Sequence, residues 1–203
     1  MVDSVSYFDL VYFNENIDLL RREVSEKGFY VFKNFLSKKE VDGLQGFLVS
    51  KFNPDKDVRV SGNYYRDMPD IQRLDIGEFP ASSRFCRYFF CFPWNNGVGQ
   101  DLAKKIMQLT NKITNVPPSF QQDHPDRFLI SFFIHYPIGG GFMSKHRELP
   151  VKDQADNAFV LYVPLRTKSK DFKTGGAFVY DRENKKICVD DFCEAGDLVI
   201  YDG

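Results

Sequence analysis

Histidine is scarce in this chain: of 203 residues only His124, His135 and His146 carry an imidazole. Charge of one sign is missing too. Lys and Arg total 27 against 28 Asp and Glu, a formal net charge of −1, which removes any electrostatic reason to expect nucleic acid or an anionic membrane surface as partner. The four cysteines, Cys86, Cys91, Cys188 and Cys193, form no C-x-x-C pair and are read as reduced, mostly buried thiols. No apolar run approaches the roughly 20 residues needed to span a bilayer. Met1–Leu10 carries Asp3 and Asp9 instead of a basic segment followed by an apolar one, so no signal peptide is expected there. Repeats, low-complexity tracts and interdomain linkers are likewise lacking. The expectation is a soluble, cytoplasmic globular protein.

Aromatic residues are what the chain has in abundance. Phe alone occurs 21 times and 43% of residues are hydrophobic, enough for a sizeable core in one domain spanning 1–203. The first half is patterned for helices. Residues 14–27 place Ile17, Leu20 and Val24 on one helical face, and Gly28 stops the helix. Phe29–Lys33 follows as a short strand. Ser37 and Glu40 have capping-box spacing, opening a helix that buries Val41, Leu44 and Leu48. The stretch Gln72–Ile76 alternates enough for a strand or an extended loop, and Arg84–Asn95 is the densest aromatic block, read as core or as a pocket wall. Val98, Leu102, Ile106, Leu109 and Ile113 mark another amphipathic helix.

From Arg127 the pattern becomes β. Phe128–Tyr136 and Ala158–Leu165 are almost continuously apolar, as strands covered on both faces would be. Shorter strands follow at Ala177–Tyr180, Lys186–Val189 and Leu198–Tyr201. Helices in 1–126 and strands in 127–203 argue for an α+β or mainly β fold, a jelly roll buttressed by N-terminal helices.

The chemistry centres on Tyr136–Glu148. A strand stops at Pro137, passes Gly139, Gly140 and Gly141, and delivers His146 and Glu148 two positions apart. If His146 starts a strand, both side chains leave the same face. One imidazole and one carboxylate are two-thirds of the 2-His-1-carboxylate set that holds non-haem Fe(II). His124 falls in a polar loop, and His135 lies mid-strand, where a satisfied core histidine is the simpler reading. Arg66 and Arg73 are read as surface ion-pairing residues or as substrate contacts. Trp94 and Asn95, an aromatic face with a polar hook, could line a pocket.

Three segments in this order resemble the iron(II)/2-oxoglutarate-dependent oxygenases of the phytanoyl/prolyl-hydroxylase-like kind. They are Lys27–Ser37 with its Gly–aromatic–Val entry strand, Tyr136–Glu148 with its glycine turn and H-x-E, and Gly175–Tyr180 followed by Gly196–Gly203 with its Gly-Asp-apolar strand. The resemblance implies a double-stranded β-helix (cupin-like), with Fe(II) on His146 and Glu148 and 2-oxoglutarate contacted by Tyr136 and Tyr162. It implies hydroxylation or desaturation of a small-molecule substrate, such as an amino acid or other polar metabolite. Dioxygen is co-substrate, 2-oxoglutarate goes to succinate, and Arg66, Arg73, Trp94 and Asn95 are candidate substrate contacts. Halogenating relatives replace the carboxylate by Gly or Ala, so Glu148 points away from halogenation. Glu148 stands where most relatives carry Asp. The family's distal histidine and its 2-oxoglutarate-clamping arginine are expected beyond Gly203. A non-catalytic cupin-like binding module, or a non-oxidative metal-dependent enzyme on the same scaffold, remain alternatives.

Overall fold

The computed structural model describes residues 16–51, 71–78, 82–91, 102, 105–106, 109, 131–146, 159–181 and 183–202. The chain divides into two compact units, one formed by Met1–Gly46, Thr110–Asn115 and Pro150–Gly203, the other by Phe47–Leu109 and Val116–Leu149.

In the first unit, helix α1 (Ile17–Lys27) buries Leu20 and Val24, the positions that its periodicity selects. Gly28 ends it at φ +84° in the left-handed region, its N–H donating to the Val24 carbonyl at 2.8 Å. Strand β1 (Phe29–Phe32) follows directly. The next helix, α2 (Lys38–Lys51), opens on the expected capping box: the Ser37 amide donates to Glu40 Oε2 at 2.8 Å, and the Glu40 amide donates to Ser37 Oγ at 3.3 Å. Val41 and Leu44 are buried along it.

Three strands from distant parts of the sequence make the sheet of this unit. β9 (Leu198–Asp202) lies between β1 and β6 (Phe159–Tyr162), antiparallel to both. Leu198, Val199 and Ile200 are consecutive and fully buried, so β9 is covered on both faces. Register puts Phe29, Val31, Val199 and Tyr162 on one face, and these pack with Val179, Val189 and Cys193. That face meets the hairpin of β7 (Phe178–Tyr180) and β8 (Lys186–Cys188) with the 3₁₀ turn Val189–Asp191. α1 lies against β1 and β9. Each fully buried aliphatic side chain of β9 contributes about 1.5–3 kcal/mol. The hairpin turn is built by Asp181, whose Oδ1 accepts the amides of Glu183 and Lys185 at 3.0 and 2.8 Å.

The entry to β9 explains the Gly-Asp pair. Gly196 has φ +93°, and a Cβ there would stand 2.8 Å from the Leu36 carbonyl oxygen, so only glycine fits. The Leu36 amide donates to the Gly196 carbonyl at 2.8 Å, and the Gly196 amide donates to the Pro164 carbonyl at 2.9 Å. Three segments are tied at one point.

In the second unit, β3 (Ser83–Cys91) pairs through Ser83–Phe90 with β2 (Ile71–Glu78). On its other side it pairs with β4 (Ser131–His135) and β5 (Phe142–Met143), again antiparallel. The described part of the aromatic block is core here. Cys86, Tyr88, Phe89 and Phe90 are buried, Tyr88 meets Phe132 edge-on at 5.2 Å, and Phe47 meets Phe89 likewise at 5.7 Å. Residues 102, 105, 106 and 109 are helical, with Leu109 fully buried, at the spacing the amphipathic pattern required. β4 departs from expectation: Phe132 and Ile134 are 47% and 38% exposed, so this apolar strand is not covered on both faces. Residues 128–130, expected to belong to it, lie outside the described residues.

Candidate functional site around His146

The glycine turn interrupts a strand and does not end it. Arg87 faces His135 and Phe85 faces Phe142, so residues 136–141 loop out opposite the single residue Cys86, after which pairing with β3 resumes. The loop closes through the Gly141 amide, which donates to the Pro137 carbonyl at 2.8 Å. Gly139 sits at φ +86°. At Gly141 a Cβ would lie 2.5 Å from the Pro137 nitrogen and 2.6 Å from the Tyr136 carbonyl carbon, a backbone collision that nothing flexible can relieve. Tyr136 and Ile138 stand exposed on this loop, at 46% and 102%.

His146 follows three residues beyond β5. It belongs to no strand, which corrects the expectation that it starts one: the resumed ladder has already used Phe142, Met143 and Ser144. Its ring is partly buried and Nδ1 lies 2.8 Å from the Ser144 carbonyl oxygen. A carbonyl only accepts, so in the neutral ring Nδ1 carries the proton and Nε2 carries the lone pair. That is the tautomer of a metal-binding histidine whose second nitrogen is held by the protein.

Tyr162 belongs to the other unit. Its hydroxyl is buried and makes no hydrogen bond among the described residues. Burial, then the neighbouring Cys193 and Asp190, push its pKa well above that of an ordinary phenol. A buried hydroxyl without a partner suits a ligand oxygen that can accept from it.

The remaining sites separate clearly. Glu148, Arg66, Trp94 and Asn95 lie outside the described residues. Arg73 is in β2 with its backbone opposite Tyr88, and its side chain is likewise outside. His124 also lies outside. His135 is exposed at β4 and not the core residue its mid-strand place suggested; it stands across from Arg87. Partial burial of its ring, and then the Arg87 cation, hold its pKa below the usual histidine value. Among the described residues, no three His, Cys, Asp or Glu side chains come together in a way that could hold a metal ion. Among them too, no helix is long and apolar enough to cross a membrane.

Two residues that carry geometry here were not singled out from sequence. Ser144, whose carbonyl orients His146, left no signal, because any residue supplies a carbonyl. Asp197 was seen only as half of a Gly-Asp pair. Its carboxylate is buried and accepts from the amides of Asn34 and Glu194 and from Lys33 Nζ. No family model, curated protein or solved structure matches the chain.

Proposed function

We propose that this protein is an Fe(II)- and 2-oxoglutarate-dependent oxygenase that hydroxylates or desaturates a small polar metabolite. The observation that carries the reading is the 2.8 Å contact between His146 Nδ1 and the Ser144 carbonyl, directly after the glycine loop and two residues before Glu148. It leaves the imidazole with its lone pair on Nε2, as a metal ligand requires.

The donor set fits a hard or borderline divalent ion: His146 supplies one nitrogen and Glu148 one carboxylate. Bound Fe(II) with 2-oxoglutarate and dioxygen would supply the oxidising chemistry. The chain's own part is positioning. The closed loop 136–141 brings the strand back onto β3 and sets where His146 leaves it. The sheet order β1–β9–β6 also supports the reading, because antiparallel pairing of strands far apart in sequence is how Greek-key and jelly-roll sheets are built. A cytoplasmic setting agrees with Cys86, Cys188 and Cys193 being in no disulfide.

The test is succinate formation from 2-oxoglutarate under air, with and without Fe(II), in wild type and His146→Ala. Succinate release that needs Fe(II) and His146 is the expected result. Metal-dependent turnover without dioxygen would instead favour a non-oxidative enzyme. Absence of both metal binding and turnover would favour a cupin-like binding module.

A further inference from the structure

We propose that Ser144 is the positioning residue for His146, and that it acts by substituting its hydroxyl for its own carbonyl in the β3–β5 ladder. This rests on the reading of His146 as a metal ligand. In an antiparallel hydrogen-bonded pair the two residues exchange both N–H···O=C bonds. Ser83 and Ser144 make one of them: the Ser144 amide donates to the Ser83 carbonyl at 2.8 Å. The second is replaced. The Ser83 amide donates to Ser144 Oγ at 2.9 Å, and the Ser144 carbonyl instead accepts from His146 Nδ1 at 2.8 Å.

The side chain therefore satisfies the ladder while the main chain turns to the imidazole. Attachment at two points fixes the Ser144 peptide plane, and with it the direction of the carbonyl that selects the His146 tautomer. Alanine at 144 would lose the Oγ acceptor. The Ser83 amide would then compete for the Ser144 carbonyl, and His146 would lose the acceptor that keeps its proton on Nδ1. Threonine keeps the hydroxyl and should keep the arrangement.

The experiment uses wild type, Ser144→Ala and Ser144→Thr. Imidazole ¹⁵N NMR of the metal-free protein at a pH where His146 is neutral reads the tautomer, anaerobic titration reads Fe(II) affinity, and thermal melting reads the fold. Expected are an Nδ1-protonated His146 in wild type and Ser144→Thr, and a shift towards the Nε2-protonated form in Ser144→Ala. Fe(II) binding should weaken about tenfold in Ser144→Ala, with little change in melting temperature because the ladder bond re-forms through the carbonyl. An unchanged tautomer in Ser144→Ala overturns the role assigned to Ser144, as does an affinity loss accompanied by a matching fall in melting temperature. A wild type that shows the expected tautomer and binds no Fe(II) overturns the metal reading and leaves the hydroxyl substitution standing.

Discussion

Asp197 Oδ1 accepts the backbone amide of Asn34 at 2.8 Å, joining positions 163 residues apart in sequence. Asn34 is at φ +56°, a conformation that asparagine tolerates better than most residues, and it holds the turn after β1 against the start of β9. Oδ2 of the same carboxylate accepts from Lys33 Nζ at 2.9 Å and from the Glu194 amide at 2.7 Å. Removing it would leave three part-buried donors without their shared acceptor. Asp197→Ala should cost about 3 kcal/mol, lowering the melting temperature by roughly 6–12 °C. Lys33→Met should cost less, because the ammonium keeps partial access to water. Thermal melts of both variants check the order.

The loop before His146 gives a second ranking. Gly139→Ala meets an unfavourable φ but open space, and should cost about 1 kcal/mol. Gly141→Ala meets backbone atoms at 2.5–2.7 Å, so the loop must open. That variant should lose at least about 2 kcal/mol and displace His146 from the Ser144 carbonyl. Denaturant melts give the energies, and the His146 imidazole resonances report the displacement.

The thiols should differ in reactivity. Burial, with the Asp190 carboxylate beside it, pushes the Cys193 thiol up to about 12. Cys188 is half-buried with Lys168 Nζ 3.2 Å from its sulfur. Timed alkylation of the native protein near pH 8, read by peptide mass, should label Cys188 at least about tenfold faster than Cys193. Equal labelling would contradict the packing described around Val189.

His135 should contribute to acid sensitivity. Its native pKa lies below that of the unfolded chain, so the unfolded state binds the proton more tightly between the two values. Stability from this source is full above the ordinary histidine value of 6.5 and is lost as pH falls through the lowered native one. The melting temperature of His135→Gln should therefore fall less between pH 7 and pH 5 than that of wild type.

Local rules were legible where local chemistry decides the outcome. Ser37 and Glu40 specify a capping box by type and spacing alone, and Gly28 a helix stop. Val199 sits in an apolar run legible as a short strand, while its burial on both faces was not. The looped-out segment 136–141 was legible as a glycine turn but not as an interruption, because the proline and glycines give no sign that the chain will return to the same partner strand. His146 consequently fell past the ladder instead of beginning a new strand. The partnership of β9 with β1 and β6 was not legible, since pairing over such separations is fixed by packing and not by local propensity. Ser144 was invisible for a different reason: its role lies in a main-chain carbonyl and a hydroxyl that trade places.

The most direct measurement is anaerobic Fe(II) titration of the intact protein in the presence of 2-oxoglutarate, comparing wild type with His146→Ala. A saturable charge-transfer absorption in wild type, weakened at least about a hundredfold in His146→Ala, is the predicted result. Wild-type binding that His146→Ala leaves unchanged, or no binding at all, would contradict the assignment of His146 as an iron ligand.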